Sequence, residues 1–334
     1  MNRHDEFRER VIGDGFSFME SALLQAAFQI NLFEAIGADT KSAQTIASEI
    51  QADARALELF LNALTSLNLI QKAGNGFKLG EAAKKIFLKS SEKYVGHAIL
   101  HQNLIARSFL ELPQSLHSGK PLPFSADGLA GQTAEFMREF THAMHGMAIG
   151  HAETVAKKIE LGSAKTLLDL GGGPGTFAIY FLKQNPGLQV VIFDLPTTLQ
   201  TTKEYVSRYG MEDRVSYQSG NFETDKIEGT FDVIFLSHII HGLNQEKNEL
   251  LLKKLYDALN PGGKLIIHDF FLNDDKISPQ FSALFALNML LHTNGGRTYT
   301  FSEVRQWFEK TGFSEIRCPQ IRLPRSISIL IGRK

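Results

Sequence analysis

The sequence predicts an α/β protein in two parts: a mainly helical N-terminal region with a winged-helix outline, then a parallel sheet connected by crossover helices. Up to about residue 100 apolar residues recur at helical spacing and end in a hairpin signal, whereas from about residue 163 short β-rich runs alternate with helical ones. The chain is also large enough for either arrangement, because 334 residues at 43% hydrophobic supply one large or two medium cores.

In the first part, SAQTIASEI (42–50) and ALELFLNALTSL (56–67) carry apolar residues at three and four spacings around a turn at Gln51 to Asp53, and Asp53 is placed to cap the second helix. LIQKAGNGFKLG (69–80) then offers Asn75-Gly76 between short extended runs, a hairpin signal. Helix, turn, helix, hairpin suggests DNA binding, but the would-be recognition helix holds one Arg, no Lys and two acids, the wrong balance for reading phosphates. Its leucines, with Phe60, cover more than one helix face, as do those of ALLQAAFQINLFEAI (22–36), so this region is expected to bury itself against another subunit, with a purely intrachain core as the alternative.

A long helix is expected over EFMREFTHAMHGMAIGHAETVAKKI (135–159). The strands that follow are KTLLDL, LQVVIFDL, FDVIFLSH and KLIIHDFF, separated by helical FAIYFLKQ, TLQTTKEYVSRYG and NELLLKKLYDAL.

Composition narrows the partners. A net charge of −1 points to neither nucleic acid nor an anionic membrane, and a small neutral or weakly charged molecule is the default. The single cysteine, Cys318, excludes an internal disulfide and favours a reducing compartment. The N-terminus MNRHDEFRER lacks an apolar signal core, and the greasiest stretch, FSALFALNMLL (281–291), is too short to span a bilayer, so a cytoplasmic protein is expected.

The chemistry starts where KTLLDL runs into GGGPGTF. Asp169, Gly171, Gly173 and Gly175 form D-x-G-x-G-x-G at a strand-to-helix junction, where glycines let backbone approach a ligand closely. The dinucleotide pattern G-x-G-x-x-G fails, since Thr176 stands at its third glycine, and Asp169 puts a carboxylate beside the place for a pyrophosphate. Asp194, ending the next strand, can accept both hydroxyls of a ribose. A cationic cofactor without phosphate, S-adenosylmethionine, fits these features; a purely structural turn is the plainer alternative.

With LLDLGGGPG, VVIFDLP, SGNF, SHIIHGLNQE, LNPGGKLIIHDFF and GGRTYTFSEVRQWFEKTGF in view, the chain resembles the S-adenosylmethionine-dependent small-molecule O-methyltransferases of the caffeate, isoflavone and hydroxyindole type over nearly its whole length. The resemblance implies a Rossmann-like methyltransferase domain behind a winged-helix domain that makes a homodimer, with residues 1–95 as the latter and 96–334 as linker helices and catalytic domain. It implies that Gly171 and Asp194, with Asp169 and Gly173, hold the cofactor's methionine and ribose, and that Asn221, Phe222 and Ser237 lie by the adenine. Asn221 departs from the family's usual Asp, and Ser237 from a Lys common in plant members.

His238 and His241 lie three apart after FDVIFLS. By resemblance His241 is the general base and Asp269 the acid that orients it. A phenol has a pKa near 10, so forming its anion at pH 7 costs roughly 4 kcal/mol, which a histidine within hydrogen-bond reach offsets by taking the proton. The family's second orienting acid is replaced by Thr298, and the Asp and Trp of its H-D-W motif by Gly242 and Leu243. These departures leave room for an acidic hydroxyl or a carbon acceptor, such as a tetrapyrrole ring carbon. Other readings of the pair are metal ligands with His268 or Asp269, or inert buried histidines; no metal is expected. A vestigial, cofactor-binding dimer without activity is the remaining alternative.

Phe136, Phe140 and Met144 recur at fourth positions and form one face of a helix. The resemblance implies that this face covers the acceptor, together with Met289, His292 and Thr293, and such Phe and Met surfaces suit a flat aromatic or polyketide-like molecule. His142, His145 and His151 are expected on the polar face or at the pocket edge.

Overall fold

In the computed structural model, which describes residues 2–125 and 128–334, the chain divides into one unit up to Leu104 and another from Ile105 on. The first holds α1 (Arg3–Phe16), α2 (Phe18–Gln29), α3 (Leu32–Ile36), β1 (Lys41–Ser42), α4 (Ala43–Ile50), α5 (Ala54–Ser66), β2 (Gln71–Ala73), β3 (Gly76–Lys78) and α6 (Glu81–Phe87), and α7 (Gly96–Leu110) crosses the division. Ser42 and Asp53 cap α4 and α5, with Asp53 Oδ1 accepting from the Ala56 amide at 2.8 Å.

The hairpin turns one residue earlier than its Asn-Gly signal suggests: Gly74 and Asn75 form the loop, Gly74 has φ +57°, and Gly76 already belongs to β3. Gly76 is needed for a different reason, since a Cβ there would meet Thr40 Cγ2 at 2.7 Å. Leu57, Leu61 and Leu64 of α5 bury one face with Ile46, Phe33 and Phe77. No residue of α1 is buried, and Phe7, Val11, Ile12 and Phe16 form an exposed apolar stripe along it.

The second unit begins with α8 (Leu112–Ser118), α9 (Ala134–Ala148) and α10 (Ala152–Lys158). The expected single helix over 135–159 is therefore two, broken at Ile149 to His151 where Gly150 weakens the helix and His151 leaves helical backbone (φ −136°). β4 (Thr166–Leu170), α11 (Thr176–Gln184), β5 (Gln189–Asp194), α12 (Pro196–Arg208), β6 (Val215–Ser219), β7 (Phe231–Ser237), α13 (Gln245–Asp257), β8 (Leu259–Leu272), α14 (Gln280–His292), β9 (Tyr299–Thr300), α15 (Phe301–Thr311), β10 (Ser314–Arg317) and β11 (Ile327–Arg333) follow.

The strand order is β10-β11-β8-β7-β4-β5-β6. β8, β7, β4, β5 and β6 are parallel, as expected, but β11 and β10 add antiparallel strands at one edge, so the sheet is mixed. Strands buried on both faces read as unbroken apolar runs. Leu167, Val233, Phe235 and Ile266 point into one layer, and Leu168, Ile234, Leu236, Leu265 and Ile267 into the other, following the two-residue period. The order reverses between β7 and β4, and the carboxyl ends of these strands frame the crevice where such sheets bind ligands.

Candidate active site

β4 delivers Asp169 and then Gly171, whose amide donates to the Phe193 carbonyl at 2.8 Å and ties the loop to β5. Gly173 has φ +54°, donates its amide to Asp194 Oδ2 at 2.7 Å, and has nothing within 4 Å of where a Cβ would stand. The loop is thus pinned from β5 while one edge stays open. Asp194 Oδ1 also accepts from the Leu195 amide at 2.7 Å, which fixes the carboxylate at the strand end and leaves lone pairs to spare. Burial raises its pKa against these two bonds.

Asp169 is 1% exposed, and its Oδ2 has no hydrogen-bond partner. Burial, with the negative charge of Asp194 adding to it, pushes its pKa up to about 7. A buried carboxyl group with one oxygen unpartnered, beside an open glycine edge, fits a cationic ligand, and a sulfonium amino acid carries two positive centres.

Past β6, Asn221 Oδ1 accepts from the Glu223 amide at 2.9 Å, so its side chain shapes the turn carrying Phe222. Phe222 is half-buried near Gly171, and Ile239 lies closer still, with Cδ1 2.4 Å from where a Gly171 Cβ would be. Ser237, the last residue of β7, is hydrogen-bonded to His268 Nδ1 (2.9 Å).

The histidines sit beyond β7. His238 has φ +59°, an uncommon backbone for a non-glycine residue, and a short 3-10 turn over Ile240–Gly242 then brings His241 back over β8. There His241 Nδ1 donates to Asp269 Oδ1 at 2.6 Å, while His238 Nδ1 stands 3.8 Å from the same oxygen, within ion-pair range but too far for a hydrogen bond. Asp269 also accepts from the Phe270 amide at 2.7 Å. Its burial would raise the carboxyl pKa, but the charge and hydrogen bond of His241, with the nearby charge of His238, outweigh that and hold it well below the usual carboxylate range. The His241 side chain is 12% exposed, with the Phe285 ring of α14 edge-on at 5.0 Å. A carboxylate-oriented imidazole with Nε2 left over is the arrangement a general base needs.

Thr298 does not replace the missing acid. It is buried, and its hydroxyl donates to the Ser282 carbonyl at 3.0 Å.

Phe136 and Phe140 stack at 6.1 Å on α9 and, like Met144, are half-buried. On α14, Met289 is buried, its carbonyl accepts from the Thr293 hydroxyl at 2.7 Å, and His292 is held between the Asn288 carbonyl and Ser108. The segment after α14 lies against the turn that carries His241, since a Cβ on Gly296 would be 2.5 Å from the His241 carbonyl oxygen.

His145 and His151 are not on an exposed polar face: both are buried. His145 bonds to Thr176 Oγ1 at 2.8 Å and stacks on Tyr205, and burial drives its pKa down to about 3. His151 packs on His268 and Phe177. Sequence reading also passed over Phe285, Phe270 and Ile239, which surround the histidines and the glycine loop; their only signal was position in apolar runs.

An acidic, glycine-edged crevice suited to a cationic, phosphate-free cofactor, beside a carboxylate-held histidine on a sheet of this topology, has the features of an S-adenosylmethionine-dependent methyltransferase. Comparison with known proteins narrows the class. The O-methyltransferase domain model matches residues 118–314 and the O-methyltransferase dimerisation domain model residues 15–90, so the chain belongs to this O-methyltransferase family and carries the domain through which its members pair.

Among curated proteins it is 28% identical to the tetracenomycin polyketide synthesis 8-O-methyl transferase of Streptomyces glaucescens, over 95% of this chain and 94% of that protein. It is 27% identical to the 3-hydroxy-5-methyl-1-naphthoate 3-O-methyltransferase of Streptomyces sahachiroi, over 93% and 91%. The human N-acetylserotonin methyltransferase structure in complex with S-adenosylmethionine shares the fold with a TM-score of 0.88 at 21% identity, covering 100% of this chain and 99% of that one. No described helix is long and apolar enough to cross a membrane.

Proposed function

We propose that this protein transfers a methyl group from S-adenosylmethionine to a hydroxyl of a small aromatic or polyketide-like acceptor, with His241 as general base and Asp269 as its orienting acid. The observation that carries the reading is the 2.6 Å His241–Asp269 contact at the carboxyl end of the sheet. The two Streptomyces relatives, by name a polyketide and a naphthoate O-methyltransferase, support the acceptor class.

Asp169, Gly171, Gly173 and Asp194 hold the methionine and ribose, and Phe222, with Asn221 shaping its turn, flanks the adenine. Ser237 stays near that end, although its hydroxyl is engaged with His268. When bound, the cofactor supplies an electrophilic methyl on a good leaving group. The protein's own work is to align the acceptor oxygen, exclude water and accept the phenolic proton at His241 Nε2. Asp269, already ionised, stabilises the imidazolium that results.

Phe136, Phe140, Met144 and Met289 provide the apolar lining, and His292 and Thr293 border it. Residues 1–95 serve dimerisation and 96–334 the linker helices and catalysis. We place the enzyme in the cytoplasm, a reading that its lone Cys318 supports.

A calorimetric titration with S-adenosylhomocysteine tests the cofactor half: saturable binding near one per chain, lost in Asp194→Ala, is expected. Absence of binding to the wild type refutes the proposal.

A further inference from the structure

A second constellation lies beside the catalytic pair and is not used by it. His151, at the start of α10, His238, after β7, and His268, in β8, each offer a ring nitrogen, and these atoms all lie within 4.8 Å of one another. His268 is 0% and His151 5% exposed, whereas the His238 side chain is 29% exposed.

Their hydrogen bonding is incomplete. His268 Nδ1 is engaged with Ser237 Oγ, leaving Nε2 buried without a partner, and both nitrogens of His151 and Nδ1 of His238 are likewise unpartnered. Buried polar atoms are ordinarily satisfied, so three adjacent rings with orphaned nitrogens call for an unseen ligand. The chain also holds His238 in left-handed backbone, with its amide donating to the His268 carbonyl at 2.9 Å, which fixes one ring against the other.

We propose that His151, His238 and His268 bind one divalent transition-metal ion of the zinc class. Imidazole nitrogens bind such an ion at about 2.0–2.1 Å, which sets ring centres roughly 5 Å apart at tetrahedral angles. The His151–His268 and His238–His268 centroids stand 5.4 and 5.0 Å apart with interplanar angles of 19° and 80°, so a turn of the stacked His151 ring is needed to aim its nitrogen at a shared ion. An all-imidazole set selects zinc, cobalt, nickel or copper over magnesium or calcium.

The Ser237 hydroxyl engages His268 Nδ1, where an outer-shell partner stands in built sites, and it can accept the Nδ1 proton when Nε2 holds the ion. Two further charges reach the cluster: Arg325 opposes a cation, and the Asp269 carboxylate favours one. The expectation of no metal weighed His238 and His241 with His268 or Asp269; His151, far off in sequence, completes a different set of three nitrogens. The inference does not depend on the acceptor or on the methyl transfer.

The test is titration of the full-length, chelator-treated protein with Co²⁺, followed by visible absorption, and with Zn²⁺ by calorimetry. One ion per chain with an intense tetrahedral cobalt spectrum is expected, with affinity at least 100-fold weaker in His151→Phe, a variant that keeps ring packing. Circular dichroism and S-adenosylhomocysteine binding confirm that the variant is folded. Zn²⁺ should raise the Tm of the wild type and not of His151→Phe. The proposal is overturned if no ion binds, which would leave a hydrated histidine cluster. It is equally overturned if His151→Phe binds as tightly as wild type, or if His241→Ala abolishes binding while His151→Phe retains it, which would move the ion to the His238, His241 and Asp269 group.

Discussion

Asp269→Asn separates charge from geometry at the proposed base, His241, and its orienting acid. Both contacts to Asp269, from His241 Nδ1 and from the Phe270 amide, fall on Oδ1, while Oδ2 is buried without a partner. An asparagine whose carbonyl takes the Oδ1 place keeps both hydrogen bonds and puts its amide where Oδ2 stood. What disappears is the negative charge that stabilises the imidazolium formed as the acceptor loses its proton. A hydrogen bond to a charged group is worth about 1.5–3 kcal/mol, so kcat for an ordinary phenol should fall about 10- to 150-fold. KM for S-adenosylmethionine should hold, because Asp269 does not belong to the cofactor cradle.

The assay is initial-rate methylation of two acceptors of one skeleton, one an unactivated phenol and the other with a hydroxyl pKa of about 7, half-ionised at neutral pH without a base. The loss should shrink to less than about threefold for the acidic acceptor. Equal losses on both, or no loss on the unactivated phenol, would refute proton transfer to a carboxylate-held His241.

Other consequences are simpler to read. The Asp169 carboxyl has its pKa raised from 3.8 to about 7 in the folded protein, so its contribution to stability is fully present below 3.8 and is lost as pH rises to about 7. At pH 8 the ligand-free Asp169→Asn protein should therefore be more stable than wild type in urea titrations, by up to about 4 kcal/mol, while binding S-adenosylmethionine more weakly. Phe235→Ala empties a fully buried position in β7 between Phe177 and Phe181 and should cost about 3–5 kcal/mol by the same measurement. Asp53→Ala removes the α5 cap and should cost about 1 kcal/mol, read as a lower Tm with little change in turnover.

Much of the site was legible because its parts are local. A strand running into spaced glycines, and an aspartate ending the next strand, are features of contiguous sequence, and parallel strands then bring their ends together. The His241–Asp269 contact spans two strands, yet β7 and β8 are neighbours in register, with Ser237 opposite His268. The unread features depend on packing between distant segments. Gly150 breaks the helix at His151, which turns that ring onto His268, and neither event leaves a periodic signal. β10 is short and mostly exposed at the sheet edge, so SEIR carries no apolar alternation to announce it. Thr298 could be seen to lack a carboxylate, but not that its hydroxyl turns to the Ser282 carbonyl.

The central claim is methyl transfer to oxygen through His241. The most direct measurement incubates the protein with S-adenosylmethionine carrying a ¹³C-labelled methyl and a panel of hydroxylated naphthoates and polycyclic aromatic polyketides, and reads the label by carbon NMR. The account predicts a product resonance in the aryl methyl ether region with wild type and its near disappearance with His241→Ala. Label on a ring carbon, or an undiminished ether signal in His241→Ala, would contradict it.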